Sequence, residues 1–450
     1  MISEKYSKYK YSYIEWIGEI PEHWIVRRIK DCLTFKIGGT PSTKIDEYFE
    51  GENIWVSISD ISSNNGDIIY DSSIKISDEG IRDSNVKLIK KGSLLYSFKL
   101  SVGLTAFAGC DLYTNEAIAS FEPNNFIDLN FLKYVFQTGF ENNAKENIYG
   151  AKLFNSDLIK FSKFVMPPSF QEQQQIANYL DKQTNKIDSI IAKNEELIQL
   201  LEEKRVALIN QVVTKGLNLD VPMNDSGVEW IGGIPEHWEC RKINTLSSVS
   251  RGASPRPIDD PIYFDDNGEY SWVRISDVTS SNKYLEQTTE KLSTLGKSLS
   301  VPIEPGNIFV SIAATVGKPI IANIKCCIHD GFVYFKNLNL NPEYLFYIFA
   351  GGEAYKGLGK LGTQLNLNTE TIGMIYIPVP PEGEQSKIIK FLDEEIDKVY
   401  KTIDKVQENI NLLTEYKTSL IHHVVTGKID VRGEEIWVQI LQKKVSKRIS

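Results

Sequence analysis

The sequence predicts an α+β fold written twice. Two strand-rich globular domains are each followed by a long helix, and the two helices pair as an antiparallel coiled coil about a pseudo-two-fold axis. Three observations carry this. Residues 15–24 (EWIGEIPEHW) return at 229–238 as EWIGGIPEHW, an offset of 214. The stretches that follow hold short apolar runs broken by Gly, Pro, Asn and Ser, the punctuation of strands. Residues 172–213 and 384–425 instead lack Pro and Gly and carry a 4-3 apolar alternation, the signature of a paired helix.

The repeat runs along almost the whole chain, which decides the architecture before any single element is assigned. Ile54–Asp60 (IWVSISD) parallels Ser271–Asp277 (SWVRISD), and KGSLLYSFKLSVG from Lys91 parallels PGNIFVSIAATVG from Pro305. Gly150-Ala-Lys-Leu parallels Gly362-Thr-Gln-Leu. Met166-Pro-Pro and Val379-Pro-Pro each lead into a Glu-Gln pair, Glu172-Gln173 and Glu384-Gln385. LINQVVT from Leu208 closes the first copy and LIHHVVT from Leu420 the second. The offset stays between 212 and 217, so the repeated unit is far longer than a solenoid repeat.

The segments follow in order. Residues 1–24 are an opening segment and 25–168 a strand-rich domain. Residues 169–218 form a helix, 219–238 repeat the opening segment, 239–381 are the second domain and 382–430 the second helix. The basic tail 431–450 has no counterpart in the first copy. Within the domains, Ile54-Trp-Val-Ser-Ile, Leu94-Leu-Tyr-Ser-Phe and Ile308-Phe-Val-Ser-Ile read as strands. Phe131–Gln137 and Tyr344–Phe349 read as one helix each.

The first helical seam is Ile187, Ile191, Asn194, Ile198, Leu201, Arg205, Leu208, Val212. The second is Val399, Ile403, Val406, Ile410, Leu413, Lys417, Leu420, Val424. Each helix is roughly 60 Å long at 1.5 Å per residue. A single apolar stripe on so long a helix needs a partner, and its own copy is the obvious one.

Composition bounds the function. Hydrophobic residues at 42% and charged residues at 24% are ordinary for a globular chain and exclude a disordered or collagenous one. With 50 basic against 59 acidic residues the net charge is −9, so bulk electrostatics do not point to nucleic acid. No apolar run approaches the roughly 18 residues of a membrane span. The opening residues have no apolar core, so no secretory signal is expected. Cys32, Cys110, Cys240, Cys326 and Cys327 form no Cys-x-x-Cys pair, so reduced thiols and a cytoplasmic location are expected.

Catalytic motifs are missing where they would have to stand. Leu295-Gly296-Lys297-Ser298 ends like a phosphate loop, but the leading Gly position holds Lys291. Met166-Pro167-Pro168-Ser169 and Val379-Pro380-Pro381-Glu382 lack both the polar residue and the aromatic of an amino-methyltransferase motif, and read as stops before a helix. Of the five histidines, His23 and His237 sit in the repeated IPEHW, where packing and hydrogen bonding outweigh metal binding. No pair of acids with a Lys recurs in both copies. A non-catalytic chain with no metal site is expected.

The copies differ most in their loops. Gly38-Gly-Thr-Pro-Ser-Thr-Lys44 aligns with Gly252-Ala-Ser-Pro-Arg-Pro-Ile258. Ile37, Ser42 and Ser57 face Arg251, Arg256 and Arg274. Arginine suits a bidentate grip on guanine or phosphate, and Ser, Thr, Asn and Gln suit adenine edges and backbone. A second Gly-flanked loop holds Tyr149–Lys152 in one copy and Gly359–Gln364 in the other. Basic residues also gather at Arg27, Arg28 and Lys30, and at Lys87–Lys91. One scaffold with different loops is the pattern of two modules that read different targets.

With EWIGxIPEHW openings, W-V-x-I-S-D strands and P-P-x-Glu-Gln entries to coiled helices, the chain resembles the specificity (S) subunits of type I restriction–modification systems over roughly residues 11–430. The resemblance implies two target-recognition domains, each reading half of a bipartite asymmetric site on double-stranded DNA, with the coiled coil as a ruler. It implies two methyltransferase (M) subunits that carry S-adenosylmethionine, and restriction (R) subunits that use ATP and Mg. No cofactor is expected on this chain and no membrane partner. The DNA-facing candidates are Thr40, Ser42, Lys44, Lys99 and Lys152 in copy one, and Arg251, Ser254, Arg256, Arg274, Lys360 and Gln364 in copy two. The competing expectations are a non-selective scaffold or inactive specificity-like protein, and a standalone nuclease or methyltransferase.

Overall fold

The structure, a computed structural model, describes residues 5–432 apart from 65, 100, 147–151, 357, 359, 362, 363 and 366. The repeated loop residues Gly150 and Gly362, and the tail from 433 onward, lie outside the described residues. The chain divides into two compact units. Unit 1 holds the described residues of 1–193 and 409–450, and unit 2 holds residues 194–408.

Each unit is built on the same five-stranded sheet. In unit 1 the order is Phe35–Ile37, Ile118–Phe121, Leu94–Ser97, Thr105–Ala108, Ile68–Ile69. In unit 2 it is Ser248–Arg251, Phe332–Lys336, Ile308–Ser311, Pro319–Ala322, Tyr284–Leu285. The last strand of each joins in parallel and the others are antiparallel. A second sheet centres on Asn53–Val56 in unit 1 and on Tyr270–Val273 in unit 2. It has three strands in unit 1 and four in unit 2. The fourth strand, Val301–Ile303, corresponds to a lone bridge between Ile89 and Leu112 in unit 1.

One expected strand is cut short. The W-V-x-I-S-D segments leave the sheet after Val56 and Val273, and short helices Ile58–Ser63 and Ile275–Ser280 begin there. Asp60 and Asp277 cause this by accepting the backbone N–H of Ser57 and Arg274 at 2.7 and 2.8 Å, the reciprocal half of a capping box. Ser57 and Arg274 are therefore helix N-caps and not strand residues.

A buried helix lies late in each unit, Leu129–Gln137 and Pro342–Ala350. The long helices span Phe170–Lys215 and Glu382–Val425, and each begins directly after its Pro-Pro stop. In unit 1 the first part of one helix packs on the last part of the other, with Ile187, Leu413, Leu420 and Val424 in one apolar cluster. Lys417 adds an ion pair to Asp188 at 2.7 Å. In unit 2 the pairing is the converse, with Ile209, Val212, Ile388, Leu392 and Ile396 together and Arg205 over the Tyr400 ring. Start meets end in both units, so the helices run antiparallel. All sixteen seam residues named above are buried or half-buried.

The Glu-Gln pair at the start of each long helix ties three parts of the unit together. Glu172 is buried and accepts from Trp24 Nε1 at 3.0 Å and the Tyr6 hydroxyl at 3.1 Å, with His23 Nε2 also at 3.1 Å. Glu384 takes His237 Nε2 at 2.7 Å and Trp238 Nε1 at 2.9 Å. This explains why His and Trp recur in IPEHW. Gln173 and Gln385 accept the backbone N–H of Asp128 and Asn341, the N-cap residues of the buried helices, at 2.8 and 3.1 Å. Their amide nitrogens donate to carbonyls of the Pro-Pro segments, Pro167 and Pro380.

Eight residues further along the helix, a second contact repeats. Tyr134 and Lys133 donate to Asp181 at 2.6 and 2.9 Å. In unit 2, Tyr347 and Lys283 donate to Asp393. Each domain is thus held on its helix at two points.

Glu172→Ala would strand the Trp24 and Tyr6 donors in a dry site, where an unmet polar group costs about 1–3 kcal/mol. We expect unit 1 to lose about 3 kcal/mol in urea unfolding of the full chain. An unchanged unfolding midpoint would show that these contacts do not hold the opening segment.

Candidate nucleic-acid interface

In both units the loop after the first sheet strand crosses a turn that precedes another strand of the same sheet. The crossing is tight. A Cβ on Gly38 would lie 2.2 Å from the Thr114 carbonyl oxygen, and one on Gly252 would lie 2.2 Å from that of His329. Only glycine permits so close an approach. Trp55 Nε1 donates to the Gly39 carbonyl at 2.9 Å and fixes the unit 1 loop from below.

The turns are built alike with different residues. In unit 1 the Asn115 side-chain oxygen accepts the Ala117 N–H at 3.0 Å. In unit 2 the His329 Nδ1 accepts the Gly331 N–H at 2.8 Å. A backbone donor at Nδ1 leaves the ring proton on Nε2. Burial lowers the His329 pKa, which favours the neutral ring. The next residue is acidic in both, and the loop hydroxyl at the matching step donates to it. Thr40 donates to Glu116, and Ser254 to Asp330 at 2.8 Å.

The surroundings then diverge. In unit 2, Arg256 Nη2 reaches the second Asp330 oxygen at 2.9 Å, and Arg251 Nε donates to the Asp330 backbone carbonyl. The Ser254 hydroxyl, then the Arg256 and Arg251 cations, hold the Asp330 carboxyl below its ordinary value. Arg274 caps its helix, pairs with Glu290 and lies within electrostatic reach of His329. In unit 1, Thr40 and then the Lys99 cation act on Glu116 and lower its carboxyl below the ordinary value. No arginine bonds to this carboxylate among the described residues.

The structure thus gathers Arg251, Ser254, Arg256 and Arg274 about the 329–330 turn, and Thr40 and Lys99 about Glu116. Ser42 and Lys44 are exposed further along the unit 1 loop. Lys152, Lys360 and Gln364 lie on two-residue strands of small hairpins, Lys145–Glu146 with Lys152–Leu153 and Lys360–Leu361 with Gln364–Leu365. Asn115, Glu116, His329 and Asp330, which hold these groups, escaped the reading of the loops. The signal was present: Glu116 and Asp330 stand 214 residues apart, the offset that also relates Thr40 to Ser254.

The segment Leu295–Ser298 lies in a short helix, Thr294–Ser298, with Lys297 stacked 3.7 Å from the Tyr270 ring centroid. Among the described residues, no group of three His, Cys, Asp or Glu is arranged to hold a metal ion, and no helix is long and apolar enough to cross a membrane.

The chain is thus a duplicated α+β frame with divergent polar turns at equivalent places. Comparison with known proteins gives its family. The sequence model of the type I restriction modification DNA specificity domain matches residues 21–199 and again 235–413, and the chain belongs to that family.

It is 25% identical over 433 residues to the type I restriction enzyme MjaVIII specificity subunit of Methanocaldococcus jannaschii, covering 92% of this chain and 95% of that one. It is 26% identical over 266 residues to the MjaIX specificity subunit of the same organism, covering 58% of this chain and 59% of that one. That second alignment spans less than two thirds of the relative. Two solved structures share the fold. One comes from work on complex assembly and conformational transition of the type I R-M system, with TM-score 0.71, 17% identity and 91% and 99% of the two chains covered. The other is the HsdS subunit from Thermoanaerobacter tengcongensis, with TM-score 0.51, 17% identity and 91% and 98% covered.

Gly252→Ala is expected to displace the unit 2 loop and to cost more than about 2 kcal/mol, because backbone and not a flexible side chain meets the new atom. Gly383→Ala, with nothing within 4 Å of its new Cβ, is the control and should be neutral or slightly stabilising. Equal melting temperatures for the two variants would contradict the tight crossing.

Proposed function

We propose that this chain is the non-catalytic, sequence-specific DNA-binding subunit of a type I restriction–modification complex. Each unit reads one half of a bipartite, asymmetric site, and the paired long helices set the spacer. Methyltransferase subunits, two per chain, supply S-adenosylmethionine and methylate adenine. Restriction subunits supply ATP- and Mg-dependent cleavage. The chain itself holds no cofactor and works in the cytoplasm.

The observation that carries this reading is the paired turns. The frame around Glu116 and Asp330 is the same in both units, a carboxylate that takes a loop hydroxyl, while the cations beside it differ, Lys99 in one and Arg251 and Arg256 in the other. A scaffold without DNA selectivity has no use for that difference. The overall acidity does not oppose the reading, since partner subunits can supply phosphate contacts.

Helical geometry gives the test. Four residues inserted after Glu195 add about 6 Å and nearly one full turn, so the seam stays in register. At about 3.4 Å per base pair, the spacer should grow by roughly one or two pairs while both half-sites keep their sequences. A two-residue insertion rotates the seam by about 200° and should impair assembly. Methylation mapping in cells carrying each variant reads all three outcomes. An unchanged spacer in the four-residue variant would refute the ruler, and new half-site bases would refute independent reading.

A further inference from the structure

Asp330 sits where a recognition surface should least tolerate it, since a bare carboxylate repels phosphate. Its neighbours change that. Ser254 and Arg256 bond to its two carboxylate oxygens, and Arg251 bonds to its backbone carbonyl through Nε. Arg251 therefore keeps Nη1 and Nη2 without a hydrogen-bond partner among the described residues. Arg256 keeps Nε and Nη1 in the same condition, with its side chain 70% exposed.

Exposed ion pairs of this kind stabilise a fold little, so the consequence of the cluster is geometric. It fixes two long side chains that would otherwise sample many rotamers. It also leaves the fork of Arg251 available in a defined place at the end of strand Ser248–Arg251.

A planar fork of two N–H groups matches the O6 and N7 acceptors of guanine in the major groove. The backbone fixes the carboxylate in turn. The His329 ring accepts the Gly331 N–H and packs 4.5 Å from the Phe332 ring, and Gly252 wedges the loop against the His329 carbonyl. In unit 1 the matching carboxylate, Glu116, holds a threonine and no arginine among the described residues.

We propose that Asp330 is a specificity-determining positioning residue, which holds Arg251 and Arg256 so that the half-site read by unit 2 contains a guanine gripped by Arg251. This rests on the DNA-recognition reading above. Unit 1, built on Thr40 and Glu116, reads its half-site without such a grip. Asp330 touches no base. It acts through the arginines: its carboxylate bonds Arg256 and attracts the Arg251 cation, whose bond to the Asp330 backbone carbonyl any residue would keep. Loss of the charge therefore frees Arg256 and loosens Arg251, and both can then contact phosphate without regard to sequence.

The test uses the full chain assembled with its methyltransferase subunits and duplexes carrying the methylated site. Each guanine of the two half-sites is replaced in turn by 7-deazaguanine, which lacks the N7 acceptor. At one guanine of the unit 2 half-site the replacement should weaken wild-type binding about tenfold. In Arg251→Ala, an exposed change that leaves the fold intact, the same replacement should cost nothing further. In Asp330→Asn the penalty should fall below about threefold and the salt slope should steepen, with discrimination at the other half-site unchanged. A full penalty in Asp330→Asn or in Arg251→Ala overturns the proposal alone, as does a unit 2 half-site without guanine. A wild-type complex with no sequence preference overturns the function reading, and this inference with it.

Discussion

The Glu-Gln pair at the head of each long helix is the constraint on which the rest of the structure depends. A buried carboxylate is costly unless it is surrounded by donors. Glu172 meets that condition only when the IPEHW tryptophan and histidine come to it, and the half-exposed Glu384 takes the same two donors. The neighbouring glutamine then takes the N-cap of the domain's buried helix and the Pro-Pro carbonyl. Two consecutive side chains thus place the opening segment, the globular domain and the helix. The second contact, at Asp181 and Asp393, fixes how the domain lies along the helix. The loops that follow Gly38 and Gly252 can vary on such a frame, because none of these contacts passes through them.

That separation explains how the two units can share a fold and differ in chemistry. The turn that crosses the Gly38 or Gly252 loop is held by backbone: a glycine wedge and a side-chain acceptor for the N–H two residues on. Asn115 and His329 do the same structural work with different side chains. The acid that follows is a socket, filled among the described residues by Thr40 in unit 1 and by Ser254 and Arg256 in unit 2, with Arg251 alongside. Under the proposed function, the socket is a physical route by which one frame yields two readings.

Much of the frame was legible because it is local or repeated. The seams from Ile187 and from Val399 follow from periodicity, and the observed helices Phe170–Lys215 and Glu382–Val425 are only slightly longer than the expected stretches 172–213 and 384–425. The strand ends at Val56 and Val273 were misread because the Asp at the third helical position, and not the apolar run, decides where the backbone turns. The socket was missed for a different reason. Arg251 and Asp330 lie far apart in sequence and meet only because strands Ser248–Arg251 and Phe332–Lys336 pair antiparallel. Lys133 and Lys283, which fill the same role on Asp181 and Asp393, come from non-equivalent positions, so no comparison of the copies pairs them. Tertiary convergence of that kind leaves no periodic trace.

The central claim is that each unit reads independently on a shared frame. The most direct measurement exchanges residues 25–168 for the equivalent domain of another family member, keeping the Glu172-Gln173 pair and both long helices, and maps methylated adenines across the genome. The account predicts a site with one new half and one unchanged half at the original spacing. A change in both halves, or loss of all recognition in a complex that still assembles, would contradict it.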